Sequence, residues 1–139
     1  MHLCASCKSS KEFKFATVAS KDDENHVKII VKFHGKPCCD HEILTYLSEV
    51  SREYDKRKKM TILYDASLIG IPSTAQIKKQ LEFMRSKDSI TRILVRKVAV
   101  IVISTSAKRI LNGLFIIRPP ACPMETFSNI VDAKMYLKS

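Results

Sequence analysis

The sequence predicts an α/β fold: a mixed sheet of four to five strands, an N-terminal hairpin and about four helices, in the order β-β-α-β-α-β-α-β-α. Three observations predict it. Val98 to Ile103 is apolar without alternation, the pattern of a strand buried on both faces. Thr61 to Tyr64 is a second compact run of β-formers, closed by Asp65 and followed by a helix start at Pro72-Ser73-Thr74. Two alternating segments near the N-terminus are separated by turn residues, as in a hairpin.

The elements follow in order. Residues 1–10 read as a flexible tail and 11–139 as one domain. Glu12 to Ala19 and Val27 to Phe33 alternate as strands, and Lys21 to Asn25 supplies the turn. After Gly35-Lys36-Pro37, Asp40 caps a helix running to about Asp55. Ile43, Leu44, Leu47, Val50 and Tyr54 line one face of it, and Glu53 pairs with Arg57. Lys56 to Lys59 complements the dipole at its end. The next strand ends at Asp65. Ser73 is the N-cap of the second helix, Gln76 completes a capping box, and Ile77, Leu81 and Met84 share a face. Lys97 to Ile103 is the central strand. Ser104-Thr105-Ser106 offers caps for a third helix ending before Pro119-Pro120. Cys122 to Phe127 is the last strand, and Ser128 caps a final helix with Ile130, Ala133 and Leu137 facing inward.

Composition excludes several classes. The longest apolar run is far too short to cross a bilayer, and the N-terminus lacks the apolar stretch of a secretory signal, so a soluble cytoplasmic protein is expected. The cysteines, Cys4, Cys7, Cys38, Cys39 and Cys122, are odd in number and without framework spacing, which predicts free thiols. With glycine only at positions 35, 70 and 113, there is no Gly-rich phosphate loop, and no Gly-x-Ser-x-Gly elbow occurs. Net charge is +10, concentrated in the second half: residues 71–139 carry 12 Lys/Arg against 4 Asp/Glu. Such a balance fits an acidic partner, an anionic surface or a solubility device. Aromatics are not interleaved with the basic residues, which argues against single-stranded nucleic acid.

TILYDASLIGIPSTAQIKK, KVAVIVIS and METFSNIVDAKMYL, in this element order, resemble the STAS domain of sulphate transporters and anti-sigma-factor antagonists, over roughly residues 11–139. The resemblance is nearest to small stand-alone STAS-like proteins. It implies a regulatory, protein-binding fold whose antagonist branch carries an Asp-Ser-Ser-Gly-type motif, phosphorylated on serine by a partner kinase. Here the corresponding residues are Pro72-Ser73-Thr74-Ala75, with Pro72 in place of Asp and Ala75 in place of Gly; Asp65 matches the family's acidic position.

Candidate chemistry is sparse. Ser73 is a candidate phosphoacceptor, since phosphate at a helix N-terminus meets free N–H groups, or it is simply a cap. Asp65 is a recognition carboxylate or an Asx-turn residue. It has no neighbouring histidine or second carboxylate for acid–base work. His34 to His41 gathers His and Cys with poor spacing for one metal ion. Cys4 and Cys7 with Cys38 and Cys39 are the alternative metal set, Cys38 or Cys39 at a helix N-terminus is the redox candidate, and no cofactor is expected. Ser104, Lys108, Arg109 and Arg118 form a candidate anion site. The helix through Ile110 to Ile117 is apolar nearly all round, which burial explains most simply.

The expected function is a non-enzymatic, regulatory module docking a protein through Asp65, Ser67, Ser73 and Thr74 and the second helix. The alternative is a peripheral binder of lipid or anionic ligands using the basic third-helix region, and a cysteine-based redox or metal protein is the third reading. A homodimer is compatible with each.

Overall fold

The computed structural model describes residues 16–22, 25–34, 40–68, 74–117 and 119–139. Its elements are β1 (Ala16–Asp22), β2 (His26–Phe33), α1 (Asp40–Asp55), β3 (Lys59–Asp65), α2 (Thr74–Ser86), α3 (Asp88–Leu94), β4 (Val95–Ile101), α4 (Thr105–Ile117), β5 (Met124–Phe127) and α5 (Ile130–Lys138). The sheet runs β1-β2-β3-β4-β5, with β1 antiparallel to β2 and the remaining pairs parallel. This is the mixed sheet with an N-terminal hairpin that the sequence predicts, with one extra short helix, α3.

Strand order equal to chain order has a geometric consequence. Parallel crossovers are right-handed, so strands added always to the same edge carry their helices on one face of the sheet. The core follows that rule. Val27, Ile29 and Val31 of β2, Ile62 of β3 and Val98 and Val100 of β4 pack with Ile43, Tyr46, Leu47, Val50 and Tyr54 of α1, Leu94 of α3 and Ala107 of α4. Phe83 of α2 joins through the Tyr54 ring, centroids 6.3 Å apart. The opposite face carries α5, among the described residues the one helix that is not a crossover. There Leu63, Ala99, Ile101 and Ala133 form a second, smaller core with Phe127, Tyr136 and Leu137. Lys97 pins that helix at its end: its Nζ donates to the carbonyls of Tyr136 (3.1 Å) and Ser139 (2.8 Å) and lies 4.8 Å from the Tyr136 ring centroid.

Local differences from the sequence reading have physical causes. β1 includes residues up to Asp22, beyond the expected end at Ala19, and residues 11–15 lie outside the described set. α1 ends at Asp55, and Arg57 takes a left-handed φ of 56° with its N–H on the Tyr54 carbonyl, a helix-terminating conformation. Arg57 has therefore left the helix, and Glu53 meets Lys56 instead, at 2.6 Å. Leu44 stands at the exposed margin of α1 rather than on its buried face. β4 spans Val95–Ile101, next to the central β3, and Ile103 emerges from the sheet. Met124, not Cys122, begins β5. The cap of α5 is Asn129, one residue after Ser128: its Oδ1 accepts from the Asp132 N–H and its Nδ2 donates to the Asp132 carboxylate, both at 2.9 Å. That shift leaves Ala133 fully buried and turns Ile130 outward. α4 seats Ala107 and Leu111 on the core, while Ile116 is 83% exposed, so the helix is not buried all round. Among the described residues no helix is long and apolar enough to cross a membrane.

Candidate functional site

Three parallel strands end side by side, Asp65 in register with Ile101 and Ile101 with Phe127. The loops leaving them therefore share one edge of the sheet. Two backbone bonds extend the ladder beyond the strand ends: the Ala66 N–H donates to the Ile101 carbonyl and the Val102 N–H to that of Phe127, each at 2.9 Å. These loops are held where they start.

Each loop then makes its own local closure. Asp65 Oδ1 accepts from the backbone N–H of Ser67 at 3.2 Å and from its hydroxyl at 2.6 Å, an Asx turn. Ser67 is thus fixed beside Asp65, and both are half-buried. Ser104 accepts the Ala107 N–H on its Oγ at 3.0 Å and the Lys108 N–H on its carbonyl at 3.1 Å, so it is the N-cap of α4. Lys108 and Arg109 follow on the first turn of α4, both exposed. α2 begins at Thr74, whose backbone is described and whose side chain is not, while Ser73 and Arg118 lie outside the described residues. The structure brings Asp65 and Ser67 together and places the start of α4 on the adjoining loop of the same edge.

The sequence reading missed the apolar component of this edge. Leu68, 58% exposed, follows the Asx turn; Ile103, 63% exposed, follows β4; Ile130 and Val131 open α5 and are exposed as well. The signal available was position: each is an apolar residue placed after a strand end and close to a helix start. Tyr64 precedes Asp65 and turns to the helical face, where burial, followed by the neighbouring Tyr46 and Tyr54, pushes its phenol well above the ordinary range. It stays protonated and supplies no base to Asp65.

Cys122 is half-buried ahead of β5, and burial pushes its thiol up to about 11. A raised value means less thiolate at any given pH, and thiolate is the reactive form. At pH 8 its alkylation by iodoacetamide is expected to lag a free thiol by about a hundredfold, given an ordinary value near 8.5–9. Labelling of Cys122 at the free-thiol rate, read by mass spectrometry, would contradict this. The remaining cysteines and most of the His34–His41 segment lie outside the described residues. Among the described residues no three His, Cys, Asp or Glu side chains gather as metal ligands.

No protein-family model matches the chain, and no curated protein sequence matches it. Among solved structures it is similar to an uncharacterized protein of the DUF3478 family, with a SpoIIAA-like fold, from Shewanella loihica PV-4. The TM-score is 0.67 at 13% identity, over 92% of this chain and 98% of that one. At that identity the likeness shows the fold: this chain has a SpoIIAA-like, STAS-like α/β architecture.

Proposed function

We propose that this protein is a non-enzymatic, regulatory binding module that docks a partner protein at the carboxyl edge of its sheet. The contact uses the loop after β3, with Asp65, Ser67, Ser73 and Thr74, and the adjoining α2. The observation that carries the reading is the set of exposed apolar side chains, Leu68 and Ile103 on neighbouring loops and Ile130 and Val131 at the start of α5, anchored by ladder bonds and caps. Presented on held loops, such groups lose little conformational freedom on docking. Strand carboxyl ends are the general docking edge of α/β sheets. The Asp65 carboxylate, closed onto Ser67, acts as a rigid recognition element in this reading and not as a base.

Capture of a partner from host lysate, followed by affinity measurements on Ser73 variants, tests it. Ser73→Asp retains a capping group and adds charge at the docking loop, so it is expected to keep its melting temperature and weaken the partner. Ser73→Ala is expected to cost about 1 kcal/mol of stability with little change in affinity. Undiminished affinity in Ser73→Asp would remove this loop from the interface. A second reading rests on Lys108 and Arg109, exposed on the same helix as Ile116 and, among the described residues, in no ion pair: a peripheral anion or lipid site completed by Ser104 and Arg118. Flotation with anionic liposomes separates the two, because only the second reading requires co-flotation.

A further inference from the structure

α5 covers the far face of the sheet over β3 to β5, and among the described residues no element packs on that face over β1 and β2. The residues alternating onto that open half are Thr17, Ala19 and Lys21 of β1 and His26, Lys28, Ile30 and Lys32 of β2. Lys21 stands directly opposite Lys28 in the antiparallel register, and Ala19 opposite Ile30. Like charges directly opposed destabilise a sheet. Among the described residues, the side chains of Lys21, Lys28 and Lys32 make no ion pair or hydrogen bond. Lys97, further along the same rung, is by contrast consumed at the end of α5. Asp65, beside Lys32 in register, accepts the Ser67 N–H and hydroxyl on its Oδ1. Ile30 is 42% exposed in the middle of this lysine frame.

We infer that this open half-face docks an acidic amphipathic helix of a partner protein, lying beside α5. The dimensions fit. Two strands span about 10 Å, one helix diameter. Lys28 and Lys32 are about 13 Å apart along the strand, so two carboxylate clusters two helical turns apart, about seven residues and about 10.5 Å along one helix face, come within reach of both long side chains. A small apolar stripe between them rests on Ala19 and Ile30. Charge complementarity selects the occupant. A second copy of this face sets lysine against lysine. The chain's own residues 1–15 carry Lys8, Lys11 and Lys14 against Glu12 alone, and are repelled likewise. Nucleic acid is disfavoured because the patch offers neither arginine nor an aromatic platform and has an apolar centre.

The test is an NMR titration of the isotope-labelled full chain, at low salt, with a synthetic amphipathic peptide. The peptide carries Glu pairs two turns, about seven residues, apart on one face, flanking a Leu/Ala stripe. Amide shifts are expected on β1 and β2, with Kd weakened about tenfold in the Lys21→Gln, Lys28→Gln, Lys32→Gln triple variant, through the combined loss of three exposed charge pairs. Lys28→Glu alone is expected to raise the melting temperature, by replacing a like pair with an opposite one, while weakening the peptide. Ile103→Asp should leave peptide affinity intact, which separates this surface from the carboxyl edge. Unchanged affinity in the triple variant, or equal affinity for a peptide whose stripe is Gln, overturns the proposal. So does tighter, lysine-dependent binding of phosphatidylserine vesicles or duplex DNA, which would reassign the face to lipid or nucleic acid.

Discussion

Ile62→Ala is expected to lower the stability of the folded chain by about 3 kcal/mol, a large share of the 5–15 kcal/mol typical of a domain. Ile62 is buried at the middle of β3, between Ile29 and Val98 in register, within the core shared with α1 and α3. Its truncation removes apolar contact and leaves a cavity that two flanking strands, each paired on both sides, have little freedom to close. The control is Ile30→Ala, on the open face of the neighbouring strand and half in water already, for which a change below about 1 kcal/mol is expected. Denaturant midpoints measure both. Equal costs would mean that the two faces of the sheet are not as unequally covered as the positions of the helices require.

Ile103→Asp should have the largest effect on binding: about a thirtyfold loss of affinity for a captured partner, equivalent to the roughly 2 kcal/mol of a central interface residue. The side chain stands past the end of β4, between loops that also present Leu68 and Ile130, so a charge there is placed amid the apolar part of the edge. The same substitution should leave the melting temperature almost unmoved, because the residue is mostly in solvent already. Isothermal titration beside thermal unfolding makes the distinction. Full affinity in a folded Ile103→Asp would exclude the carboxyl edge as the docking surface.

Period and punctuation made most of the elements legible in the sequence. The uninterrupted run at β4 and the hairpin's alternation follow directly from which faces are covered. α3 was not legible, because seven residues hold too few helical repeats to stand apart from the end of α2 and the start of β4. At α5, Ser128 and Asn129 are both good caps. The choice is settled by the pairing of Asn129 with Asp132, which depends on where β5 releases the chain. For the candidate site, the turn at Asp65 was legible as local chemistry, since Asp followed two residues later by Ser closes on itself. The exposure of Ile103 was not, because an apolar residue continuing an apolar run reads as buried until the strand's end is known. The alternation of Lys28, Ile30 and Lys32 is equally plain in the sequence. That this half of the face is open depends on α5, about a hundred residues later, covering only the other half.

Strand order equal to chain order also bears on how the molecule is made. As the chain leaves the ribosome, each new strand finds its pairing edge already present in the strand synthesised just before it. None has to be inserted between two strands that have already paired. Loop-closure costs stay local, and the helical face consolidates progressively from the hairpin onward. The far face waits longest. Leu63, Ala99 and Ile101 remain without cover until α5, the last element, emerges. Until α5 docks, those three side chains lack the helix that covers them in the folded chain, and exposed apolar surface of this kind is what chaperones bind and aggregation exploits.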